Sequence, residues 1–212
     1  MFPTLAAEKG LDKHMKNAEY PLYFEFKIAT LSNDFIATDA KRQTLAYVRQ
    51  KMFKFKEDIE IFDNEGKKNL LYRIKADRWL DFSAAYAFTT AAGEELGKIV
   101  RKGWRSMWRA SYEILDENQQ QLYHISEKSV WTRIMDNMLG EIPLLNLLTG
   151  YLFHPAYVVT DKQGNEVAEL KKLPSFFGRK FNVSATEALN KEHNEKIVLG
   201  LMMLILLERR RG

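Results

Sequence analysis

The chain has 212 residues, with 32 Lys and Arg against 28 Asp and Glu, a net charge of +4, and 46% hydrophobic residues. That balance belongs to a globular domain and excludes a mainly disordered, collagen-like or polytopic membrane chain. There is no cysteine, so a disulfide framework, a thiolate zinc site and a cysteine nucleophile are excluded as well. Residues 1–19 lack a basic start followed by a long apolar run, which is not the pattern of a secretory signal. They read as a leader outside the folded domain, and with the missing cysteines they point to a cytoplasmic protein.

From Tyr20 the chain reads as strands. Residues 20–28 alternate, with Leu22, Phe24, Phe26 and Ile28 on one face. A unit then recurs: an apolar strand, a short turn rich in Asp, Asn, Gln or Gly, and a second apolar strand. Its copies run Phe35–Asp39 to Leu45–Val48, Ile59–Asp63 to Leu70–Ile74, Ala87–Thr90 to Leu96–Val100, Tyr112–Asp116 to Leu122–Ile125, and Tyr157–Asp161 to Val167–Leu170. The last interval is long because a leucine-rich stretch intervenes near residues 133–150. With Pro143 inside, it reads as a helical insert. Asn64-Glu65-Gly66, Ala92-Gly93 and Gln163-Gly164 supply the flexible positions that hairpin turns need.

The last element is apolar on every face. Ile197 to Leu207 holds no polar side chain, yet as a helix it rises only about 17 Å, short of the roughly 20 residues that cross a bilayer. Such a helix must be surrounded. Ser184-Ala185-Thr186-Glu187 fits a capping box, so a helix is expected over about 185–208. Five hairpins, residues 20–28 and Lys180–Ser184 make twelve strands. A barrel that wide has room inside, and the apolar helix is of a length to fill it. The expected fold is all-β: a twelve-stranded antiparallel barrel enclosing a hydrophobic C-terminal helix, as one domain over 20–212. The competing reading makes the last helix a tail anchor, with Arg209 to Arg211 at the headgroups.

Tyr47 to Glu57, followed by Ile59 to Gly66, resembles the signature of LURP-one-related proteins. Gly97 to Lys102 and Tyr112 to Asp116 are similar to its second half. The resemblance covers roughly residues 20–208. It implies the tubby-like fold, shared with Tubby C-terminal domains and phospholipid scramblases: a twelve-stranded barrel around a hydrophobic C-terminal helix. It also implies contact with phosphoinositide headgroups through basic side chains, as in Tubby domains, or calcium-linked lipid movement, as in scramblases.

Motifs for chemistry are missing. His14, His124, His154 and His193 include no pair four residues apart, so the paired zinc-helix spacing is absent. There is no Gly-x-Ser-x-Gly elbow, phosphate-cradling loop, dinucleotide fingerprint or calcium loop, and Asp161 to Glu166 reads as a plain turn. Adjacent carboxylates such as Glu94-Glu95 point to opposite faces of a strand. A catalyst, a cofactor and a metal are therefore not expected.

Two basic clusters remain. Lys98, Arg101, Lys102, Arg105 and Arg109 surround Trp104 and Trp108. Lys171, Lys172, Arg179 and Lys180 flank Phe176-Phe177. Cations beside aromatics suit an anionic lipid surface, although the same residues could simply solvate the barrel and cap its end. A charge of +4 makes nucleic acid an unpromising partner. The sequence thus leads to a non-catalytic intracellular module, cytoplasmic or peripheral to a membrane, that contacts anionic lipid or a protein partner through the barrel exterior. The leucines of 135–151 are a second candidate surface for a protein. The alternative is a scramblase-like, membrane-anchored lipid transporter that uses the last helix.

Overall fold

The computed structural model describes residues 15–28, 33–51, 58–76, 84–102, 111–128, 156–175 and 180–209. Its strands are β1 (Leu22–Phe26), β2 (Phe35–Thr38), β3 (Thr44–Gln50), β4 (Asp58–Phe62), β5 (Leu70–Ala76), β6 (Ala85–Thr90), β7 (Glu95–Lys102), β8 (Ser111–Leu115), β9 (Gln121–Glu127), β10 (Ala156–Thr160), β11 (Glu166–Leu173) and β12 (Lys180–Ala185). Each pairs antiparallel with the next, and β12 pairs with β1, so the sheet closes into a twelve-stranded barrel. Closure removes every free edge.

Four of the hairpins repeat one turn chemistry. The Asp39, Asp116 and Asp161 carboxylates accept the backbone N–H of Gln43, Gln120 and Asn165, each at 2.8 Å. In the fourth the Thr90 hydroxyl takes the same place toward Glu94, at 3.2 Å. The residue two before the returning strand is left-handed in each: Arg42, Gly93, Gln119 and Gly164 have φ between 62° and 92°. The register then slips between Ala37/Thr38, Phe88/Thr89, Ile114/Leu115 and Val159/Thr160. This bulge next to the turn deepens the twist that lets the sheet close. The β4–β5 hairpin is longer and has its own slip, between Ile61/Phe62.

Most inward positions are apolar or tyrosine, and they surround the C-terminal helix, Asn194–Arg209. From Ile197 to Leu206 every residue of that helix is buried. It lies against β6, β7 and β8, and Gly200 packs tightly on β8. A Cβ built there would stand 2.8 Å from Ile114 Cδ1 and 3.2 Å from Ile114 Cγ1. The apolar run is therefore the core of the barrel. Among the described residues no helix is long and apolar enough to cross a membrane.

Two boundaries differ from the sequence reading. The helix starts at Asn194 rather than near residue 185. Ser184 and Ala185 are held in the β11–β12 ladder, opposite Glu169 and Ala168, and the Thr186 hydroxyl donates to the Glu166 carbonyl at 2.7 Å instead of capping a helix. The chain must first round the barrel end. It does so through the 3-10 turn Lys191–His193, where the Asn190 side chain accepts from Glu192 N–H. The second difference lies in the leader. Met15 is buried, and Asn194 Nδ2 donates to the Met15 and Lys16 carbonyls at 3.0 and 3.3 Å. Tyr20 donates to Asn194 Oδ1, and Lys16 lies 3.6 Å from the buried Glu195. Buried polar groups need partners, so the helix start draws residues 15–19 onto the domain. Residues 1–14 and the insert near 133–150 lie outside the described residues.

Candidate functional site

Antiparallel closure gives the barrel two unlike ends. The turns following β2, β4, β6, β8 and β10, and the passage from β12 into the helix, share one end. The connections following β1, β3, β5, β7, β9 and β11 share the other, where the helix finishes. The six stretches at the turn end (39–43, 63–69, 90–95, 116–121, 161–166 and 186–193) hold eleven Asp and Glu against six Lys and Arg, a net of −5. The rest of the chain holds 17 against 26, a net of +9. A modest overall charge therefore hides an acidic turn end.

The turn end is closed. Tyr123 and His193 meet through their side chains, hydroxyl to Nδ1, at 3.0 Å. Lys196 pairs with Glu117 at 2.7 Å, and that bond holds the Glu117 carboxyl below its ordinary range. Burial, with help from Lys196, lowers His193. The Asn165 side chain is the main cause lowering Asp161.

At the far end the helix terminus is fastened to the wall. Tyr112 donates to Glu208 at 3.3 Å, and the Tyr157 hydroxyl, pushed up mainly by burial, also bonds Glu208. The Arg209 guanidinium lies 4.3 Å from the centroid of the Phe26 ring. Cations around a helix C-terminus complement its dipole.

Most of the described basic candidates collect at this same end, but they are not equivalent. Lys102, Lys171 and Lys180 point outward, and each is tied to an acid: Glu113 at 2.8 Å, Glu169 at 2.8 Å and Glu25 at 2.9 Å. Arg101 shares the inward register of Gly97 and Ile99 at the barrel mouth, and Lys172 shares that of Ala168 and Leu170. Lys98 stands midway along the wall and faces outward. Among the described residues no ion pair involves Lys98, Arg101 or Lys172. Arg105, Arg109 and Arg179 fall outside the described residues. So do residues 135–151. All four tryptophans of the sequence, Trp79, Trp104, Trp108 and Trp131, lie outside the described residues too. One basic residue was overlooked in the sequence: Lys75 on β5, two strands from Lys98, which no local run could join to it. No group of His, Asp and Glu able to hold a metal occurs among the described residues.

The segment that carries the quoted motifs also carries a family likeness. Residues 44–133 match the LURP-one-related family. The LURP-one-related stretch runs from the start of β3 past the end of β9, so it supplies seven consecutive strands, the Gly97 bulge and the Lys98–Arg109 cluster. The remaining strands close the barrel, and the helix fills it. Neither a curated protein nor a solved structure matches the chain.

Proposed function

We propose that this protein is a non-catalytic binding module that docks end-on onto an anionic lipid surface, with the rim around the helix C-terminus turned toward the headgroups. The acidic turn end carries this reading. An anionic plane repels the turns at −5 and so favours contact at the opposite end, where Arg101 and Lys172 lie. Arg101 and Lys172, at the mouth and without ion pairs, are the described cations most available to phosphates. Lys102, Lys171 and Lys180 would have to exchange an acid for a phosphate. Trp104 and Trp108, beside the basic run in the sequence, add indole, a side chain suited to the headgroup layer. The helix serves as the core that holds the rim in shape. Its enclosure gives no support to an anchored transporter.

The test is flotation of the full chain with neutral vesicles and with vesicles containing phosphatidylserine, at low and at physiological salt. Binding only to the anionic vesicles, weaker at the higher salt, is the expected result. Arg101→Glu with Lys172→Glu should reduce it, and Lys162→Glu at the turn end should not. Equal binding by the rim variant would end the proposal.

A further inference from the structure

We infer that the outer wall carries a second and separate recognition surface: a furrow along β6 that receives an extended acidic segment of a protein partner. Tyr86 and Phe88 of β6 face the core, so Ala85, Ala87 and Thr89 face out, all half-buried. Among the described strands only β6 shows nothing but alanine and threonine outward. Its neighbours rise higher. Arg73 and Lys75 project from β5, in register with Thr89 and Ala87. Lys98 projects from β7, in register with Ala87 on the other side. The floor is thus a strand of small residues between two cationic walls about 10 Å apart, twice the strand spacing.

Two of the three cations here, Lys75 and Lys98, are unspent. Among the described residues neither Lys75 nor Lys98 has an ion pair. Arg73 reaches Glu60 only at 3.7 Å, and its buried Nε has no hydrogen-bond partner. The backbone groups of β6 are committed to β5 and β7, so an added strand could not pair edge-on; recognition must come from side chains. Spacing selects the occupant. Arg73 and Lys75 lie two residues apart on one face, about 7 Å. An extended peptide repeats its own face at the same period. A segment with Asp or Glu at alternate positions would set successive carboxylates against Arg73 and against the Lys75–Lys98 pair.

The probe is a fluorescein-labelled peptide of about ten residues alternating Glu and Ser. It is titrated by anisotropy against the full chain, beside an isomer with all the Glu in one block. The alternating peptide should bind more tightly than the block. Lys75→Glu with Lys98→Glu should weaken it roughly tenfold or more, since reversal removes attraction and adds repulsion. Ala87→Phe, which fills the furrow and keeps its charge, should weaken it too. The rim variant Arg101→Glu with Lys172→Glu should leave it unchanged, so this result stands or falls apart from vesicle binding. Far-ultraviolet dichroism confirms that each variant is folded. Equal affinity of the two peptides, or undiminished binding by the folded furrow variants, would overturn the inference. So would loss of anionic-vesicle flotation on furrow reversal with peptide binding intact, which would give the furrow to lipid.

Discussion

Gly200→Val puts the packing of helix against wall to a direct test. At Gly200 even one added carbon would sit 2.8 Å from Ile114 Cδ1. Carbon atoms prefer about 3.5–4.0 Å. Ile114 has nowhere to retreat, because it is fully buried and Ile99 Cδ1 lies 3.9 Å from the same position. Valine adds three carbons. Overpacking of this kind costs about 1–3 kcal/mol, sometimes more, and leaving glycine in a helix returns only a few tenths. A loss of about 2–3 kcal/mol is expected, or roughly 4–12 °C in Tm for a chain of this size. Ile114→Ala alone should cost about 2–5 kcal/mol through the cavity it leaves. Together the two changes move three carbons from strand to helix and nearly conserve volume, so the double variant should be more stable than the sum of the singles by about 2–3 kcal/mol. Urea unfolding followed by circular dichroism measures all three. Additive losses, or a Gly200→Val protein as stable as the parent, would show that the helix does not press on β8 at this point.

Other expectations follow from the same packing. Leu201→Asp buries an unpaired carboxylate in the centre of the barrel, a cost of several kcal/mol on top of the lost apolar burial; it should leave no cooperative unfolding transition, and a folded variant would mean that the helix is not the core. Gly97→Ala should be strongly destabilising in the same urea assay, because Gly97 has φ +135° and a Cβ would fall 2.2 Å from the Leu115 carbonyl oxygen, a backbone atom that cannot turn aside. His193 is lowered by burial, so the folded state binds its proton less readily than the unfolded chain. Its contribution is complete above the ordinary histidine range and is lost as pH falls from about 6.5 through the folded value. The urea midpoint of the parent should therefore drop more between pH 7.5 and pH 5 than that of His193→Gln, and equal drops would remove this role. Arg105→Glu with Arg109→Glu, in the connection between β7 and β8, should lower flotation on anionic vesicles without lowering Tm; unchanged flotation would take these two residues out of the proposed surface.

The fold was legible because its signals are local and repeated. An alternating strand, an Asp-led turn and a returning strand recur, and each turn is stabilised by its own side chain. The all-apolar run at Ile197–Leu207 could only be enclosed or embedded, and twelve short strands offered an enclosure. Helix start was misread because Ser and Thr suit a ladder or a turn as readily as a cap: Ser184 stands in the β11–β12 ladder and the Thr186 hydroxyl donates to the Glu166 carbonyl. Only the pairing with β11 decides between those uses. The basic clusters were legible as runs, but a run along a strand alternates faces. Arg101 and Lys102 are neighbours in sequence, yet one lies on the inward register of the mouth and the other on the outer wall. Their acidic partners were invisible for the same reason: Glu113, Glu169 and Glu25 reach Lys102, Lys171 and Lys180 across the sheet or along it. The acidity of the turn end appears only when turns far apart in sequence are gathered there.

The account turns on which end meets the membrane. The chain lacks cysteine, so a single introduced thiol can be labelled without background. Ser111→Cys places a fluorophore at the rim, on the first residue of β8, and Asn118→Cys places one on an exposed turn at the opposite end. With vesicles of brominated phosphatidylserine, the account predicts quenching of the Ser111 label, relieved by salt, and none of the Asn118 label. Equal quenching of the two, or quenching at Asn118 alone, would contradict it.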